Sequence, residues 1–204
     1  MAAMISEPET YFRGFIPPRD EFLLELERQA QDENIPIVGP VVGELLYILA
    51  KAMNARTILE LGTATGYSAI YLAHSFDGLE GKVITLERDE NMAIRARNNV
   101  LRAGLADRIE VRVGDALEVM ATLNGSFDLI FMDIDKENYG GALTQCRRLL
   151  RAGGLLVADN VAFRDARKFN HQIFTEDHWR SVHLYSFLPE HSPEHDGLAL
   201  AVKI

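Results

Sequence analysis

"ILELGTATGYS", Ile58 to Ser68, is a short aliphatic run carrying an acid near its end, followed by a turn with two glycines and then by helical apolar spacing. A strand that passes through a tight turn straight into a helix is the opening of an α/β unit. Gly62 and Gly66 let the backbone come close to a ligand, and the helix behind them presents unpaired N–H groups. The spacing is not G-x-G-x-x-G, and no P-loop lysine follows. Taken alone, the stretch is equally a plain tight turn or a cofactor cradle made by Glu60, Gly62, Thr63, Gly66 and Ser68.

Downstream the unit repeats. "KVITLE" (82–87), "RIEVRV" (108–113), "DLIFMD" (128–133) and "GLLVAD" (154–159) read as strands. Between them lie helical patterns, with Gly104 and Gly153 as helix terminators. Alternating strands and helices predict a mostly parallel sheet covered on both faces. "SVHLYSF" (181–187) and "LALAVKI" (198–204) are joined by too few residues for a crossover helix, so they pair antiparallel. Upstream, "RDEFLLELERQAQDE" and "PVVGELLYILAKAMN" are amphipathic helices within an N-terminal helical segment of about residues 1–54. No repeat or long linker interrupts the chain, which reads as a single domain over 1–204.

With 204 residues, 48% hydrophobic and 25% charged, the chain can bury one substantial core. The single cysteine, Cys146, cannot form an internal disulfide and sits in a helical pattern, which fits a reducing, cytoplasmic setting. No run approaches the ~20 apolar residues of a membrane span. A net charge of -9 weakens a nucleic-acid reading, although "RDARK" (164–168) is a local basic cluster.

Three further strand ends carry chemistry. Glu87 closes the second strand, where an acid can accept hydrogen bonds from ribose hydroxyls, and "GDA" (Gly114, Asp115, Ala116) closes the third, where it can flank an adenine. Each also has a plain reading, Glu87 as a solvated acid and Asp115 as a helix N-cap. "FMDIDKENY" (131–139) and "VADN" (157–160) close two more runs with Asp133, Asp135, Lys136, Asp159 and Asn160. Their oxygens are hard donors of the kind that suits Mg2+, Mn2+ or Ca2+.

"ELGTATGYS", "GDA", "MDIDKENY", "ADNV" and "DGLALAVK" together resemble the class I S-adenosylmethionine-dependent methyltransferases, and more closely the cation-dependent O-methyltransferases that include catechol and caffeoyl-CoA O-methyltransferases. The resemblance runs from about Val38 to the C-terminus. It implies a Rossmann-like α/β fold with a seven-stranded, mostly parallel sheet and an antiparallel C-terminal strand. It implies S-adenosylmethionine as cofactor, with Val38 and Asp135 among its contacts and Asp133 contributing. It also implies Asp133, Asp159 and Asn160 as ligands of a divalent cation, Mg2+ first, and a homodimer. Pro40 and Val41 depart from the more polar residues of relatives, and the loop after "ADNV" is shorter, with Phe163 in place of part of a bulkier wall.

Lys136 is the expected general base, because a nearby cation favours its neutral form and acidifies an acceptor hydroxyl. The first acceptor is a small catechol-like phenol. A bacterial branch with the same pattern methylates hydroxyuridine in tRNA, which stands as the alternative. A cofactor-binding regulatory protein without turnover is the alternative of a different class, and it has no need for Lys136 or the ligand set. Five histidines, His171, His178, His183, His191 and His195, lack a zinc-site spacing and read as surface or substrate-loop residues.

Overall fold

Strand alternation sets the layers. In the computed structural model, which describes residues 3–204, Ile58, Leu129 and Phe131 face one apolar cluster while Leu59, Leu61, Ile130 and Met132 face the other. Side chains of period two therefore divide between two cores, one on each face of the sheet. The first core is closed by α2 (Glu21–Asp32), α3 (Gly39–Ala52), α4 (Tyr67–His74) and α5 (Glu90–Arg102). The second is closed by α6 (Ala116–Thr122), α7 (Tyr139–Leu149) and α8 (Arg167–Thr175). A short α1 (Pro8–Arg13) precedes them and buries none of its residues.

The strands are β1 (Thr57–Leu61), β2 (Lys82–Glu87), β3 (Ile109–Val113), β4 (Phe127–Met132), β5 (Leu150–Ala158), β6 (Trp179–Phe187) and β7 (His195–Lys203). They form a seven-stranded sheet in the order β3-β2-β1-β4-β5-β7-β6. β1 to β5 are parallel, whereas β7 runs antiparallel to both β5 and β6. The expected antiparallel C-terminal pair is thus present, with β7 inserted between β5 and β6. Strand order reverses between β1 and β4, and a crevice opens beyond their carboxyl ends.

Helix starts follow the sequence. Asp20 and Asp89 cap α2 and α5 by accepting from Leu23 N and Met92 N, each at 2.8 Å. Such a cap is worth about 1 kcal/mol. α2 buries Leu23, Leu26 and Ala30, the apolar stripe of an amphipathic helix. Gly153 is not a helix terminator. α7 ends at Leu149 and the chain enters β5 at once, with Gly153 inside an irregular stretch where the register to β4 jumps from Phe127↔Leu150 to Leu129↔Leu155. No helix among the described residues is long and apolar enough to cross a membrane.

Candidate active site

The carboxyl ends of the parallel strands open onto a cavity of about 290 Å³. On its β1–β3 side the turn after β1 is held by backbone hydrogen bonds. Glu87 Oε2 accepts from Ala64 N at 2.9 Å and Oε1 accepts from Asp89 N at 3.0 Å. Each oxygen keeps a further lone pair. Gly62 has φ 96, and a Cβ there would lie 2.1 Å from the carbonyl oxygen of Asp133, so only glycine lets the turn rest against the end of β4. Val38, Thr63, Ser68 and Ala116 line the same cavity. Asp115 fulfils both of its readings: it lines the cavity, and its Oδ1 caps α6 by accepting from Leu117 N at 2.9 Å.

Two expected cofactor residues stand behind this wall. Gly66 is the left-handed residue that starts α4 and does not border the cavity. Glu60 is fully buried, and neither carboxylate oxygen makes a hydrogen bond. Burial, only partly offset by the nearby hydroxyls of Ser68 and Thr85, raises its pKa to about 7.

The β4–β5 side is built from charges. Lys136 opens a 3-10 turn (Lys136–Asn138), and its Nζ lies 2.7 Å from Asp133 Oδ1. Burial and the neighbouring charge of Asp159 raise the Asp133 pKa, against the pull of Lys136. Asp159 Oδ1 accepts from Asn160 N, and Oδ2 meets His191 Nε2, both at 2.8 Å. Tyr139 Oη donates to the carbonyl of Asp159 at 2.9 Å, clasping the end of β5 from below. Asp135 lines the cavity too, with its carboxylate ion-paired to Arg88 across the mouth.

Asn160 sits in the left-handed region, with φ 52, a conformation asparagine tolerates better than most residues. Its Nδ2 donates to Asp196 Oδ2 at 2.6 Å. An ionised carboxylate only accepts, so the amide oxygen is the end left free for a ligand. Two acids and a free amide oxygen on one cavity fit a hard divalent cation. Among the described residues no three His, Cys, Asp or Glu side chains stand together as a metal cage, and Asp133 is engaged by Lys136. The acidic end of β2, the apolar wall of Leu86 and Leu117 and the glycine turn fit a nucleoside cofactor.

Sequence reasoning missed His191, Tyr67 and Asp196. Of the two expected settings, surface or substrate loop, His191 does not have the first: it sits on a loop that lines the cavity, is 5% exposed and touches Asp159. Burial opposes its charged form, but the hydrogen bond and charge of Asp159 outweigh this and hold its pKa above the ordinary value. Tyr67 lines the cavity and donates to Glu27, which pairs with Arg19; Arg19 in turn pairs with Glu190 at 2.8 Å. Asp196 was legible only as part of "DGLALAVK", with no separate role.

The O-methyltransferase family model matches residues 18–174. A catechol O-methyltransferase of Niastella koreensis is 34% identical over 94% of each chain. One from Mycobacterium tuberculosis is 48% identical over 58% of this chain and 54% of its own length. The crystal structure of an O-methyltransferase from Bacillus cereus in complex with SAH superposes with a TM-score of 0.85, at 32% identity and 98% coverage of both chains. With the strand order and the cavity that the motifs demanded, the chain belongs to the O-methyltransferase family of S-adenosylmethionine-dependent enzymes.

Proposed function

We propose that the protein transfers a methyl group to one hydroxyl of a small catechol-like phenol in a reaction that requires a divalent cation. The observation that carries this reading is that one cavity holds Glu87 and Asp115 together with Asp133, Asp159, Asn160 and Lys136. The catechol O-methyltransferase named above, matched over 94% of both chains, supports it. S-adenosylmethionine supplies an electrophilic methyl, and a divalent cation, Mg2+ by the hardness of the oxygen donors, supplies charge that orients and acidifies the acceptor.

The chain's own residues do the rest. Glu87 offers its spare lone pairs to the ribose, and the turn from Gly62 to Ser68 holds the cofactor's amino-acid end. In this reading Lys136 takes the acceptor proton and is then held as an ammonium by Asp133, and the 2.7 Å separation of Nζ and Oδ1 supports it. The remaining contribution is alignment of acceptor oxygen, methyl carbon and sulfur.

A second reading, methylation of hydroxyuridine in tRNA, is favoured by one feature. Arg164, Arg167 and Lys168 border an adjoining cavity of about 860 Å³ beside Val161. Transfer from labelled cofactor separates the two. Catechols should be methylated, excess chelator should abolish turnover and Mg2+ should restore it. Labelling of tRNA alone would transfer the assignment to RNA, and full turnover in excess chelator would remove the cation from the reaction.

A further inference from the structure

The loop between β6 and β7 brings one side chain into the acid cluster that the oxygen-only ligand set leaves out. His191 Nδ1 lies 2.6 Å from the carbonyl oxygen of Pro193, and Nε2 lies 2.8 Å from Asp159 Oδ2. A carbonyl only accepts, so Nδ1 carries the hydrogen and the lone pair of the neutral ring is on Nε2. That is the arrangement of a metal-binding histidine, whose other nitrogen donates to a backbone carbonyl and so fixes the tautomer. Without a cation the contact is a hydrogen bond in which Nε2 donates to Asp159 Oδ2; a bound cation would take that proton's place, with the Nε2 lone pair and the carboxylate as neighbouring ligands.

The spacing fits a shared ion. Neighbouring ligands on an octahedral ion with bonds of about 2.1 Å are about 3 Å apart, close to the 2.8 Å seen here. His191 borders the same cavity as Asp159 and Asn160, and its loop is held in place. Gly39, with φ 68, allows contact with the carbonyl of Glu190, where a Cβ would lie 2.4 Å away. Arg19 fastens the side chain of Glu190. The ring is therefore delivered by a braced segment rather than by a free surface loop.

We infer that His191 is a further protein ligand of the divalent cation, giving a mixed nitrogen and oxygen site formed with Asp159, Asn160 and Asp133, whose Oδ2 is not engaged by Lys136. This rests on the cation-dependent reading above. A nitrogen donor moves preference away from Mg2+ and Ca2+ toward ions that accept imidazole, such as Co2+, Ni2+ and Zn2+.

The test is Mn2+ bound to the full chain in the presence of S-adenosylhomocysteine, read by electron spin echo modulation with natural and with nitrogen-15-labelled histidine. A directly bound imidazole nitrogen, altered by the label, is expected. In parallel, calorimetry should show Co2+ bound at least about 10-fold more tightly than Mg2+, with the ratio falling in His191→Gln. Mn2+ bound without histidine coupling would overturn the inference and leave the cation reading intact. Failure to bind Mn2+ at all would overturn both. The labelled wild-type spectrum decides the matter even if the variant does not fold.

Discussion

The turn after β1 and the loop before β7 face the same cavity and are held by different forces. The turn rests on backbone donors, with Glu87 accepting from Ala64 N and Asp89 N, and on a glycine that lets it lie against β4. The loop rests on charge, through Arg13 with Glu194, Arg19 with Glu190 and His191 with Asp159. A backbone-held wall tolerates change in most of its side chains. A charge-held wall couples each member to the balance of its neighbours. Substitutions on the two sides should therefore fail differently, one in cofactor affinity and the other in chemistry or cation affinity.

The largest effect is expected at Lys136. Lys136→Met should lower turnover by about 10²–10⁴ while cofactor affinity, measured by calorimetry, stays near normal. Near-normal rates across catechols of differing acidity would take Lys136 out of the mechanism and remove the contrast between the walls.

Glu60 tests the other wall, since it is a fully buried acid behind the turn whose carboxylate oxygens make no hydrogen bond. Its pKa rises from 4.5 to about 7 on folding. A raised acid favours the folded state fully below the unfolded pKa, and this contribution is lost as pH climbs toward 7. Glu60→Gln should therefore match the parent near pH 4 and be more stable at pH 8, by roughly 3 kcal/mol. Thermal melts at the two pH values check this, and a difference that does not grow with pH would refute it.

Glu87→Ala should weaken cofactor binding by about 10- to 100-fold, with cation affinity unchanged. A joint loss of both would show that the walls are not independent. The smallest change is expected for Asp196→Asn, which no longer compels the Asn160 amide to present its oxygen. Cation affinity should fall about 10-fold with cofactor affinity intact, as titration with Mn2+ would show.

The sequence made one wall far more legible than the other. β1, β2 and the turn between β1 and α4 stand where the aliphatic runs and glycines placed them, because their order is set by neighbours within a few residues. Asp133, Asp159 and Asn160 were findable because each closes a strand. His191 and Asp159 are 32 residues apart, Asn160 and Asp196 are 36 apart, and Tyr67 and Glu27 are 40 apart. No local period records such pairings. Gly153 misled for the opposite reason, since a glycine after a helical run looks like a terminator whether the chain stops or, as here, bulges within a strand.

The contact between Gly39 and the carbonyl of Glu190 has a consequence for inheritance. A segment within the last twenty residues takes its position from the first forty, through α2, Arg19 and the start of α3. No residue of α1 or α2 borders the cavity. The placement of His191 beside Asp159 is thus open to drift at positions that never touch the cavity, and related chains can shift that edge of the site while every side chain lining it stays the same.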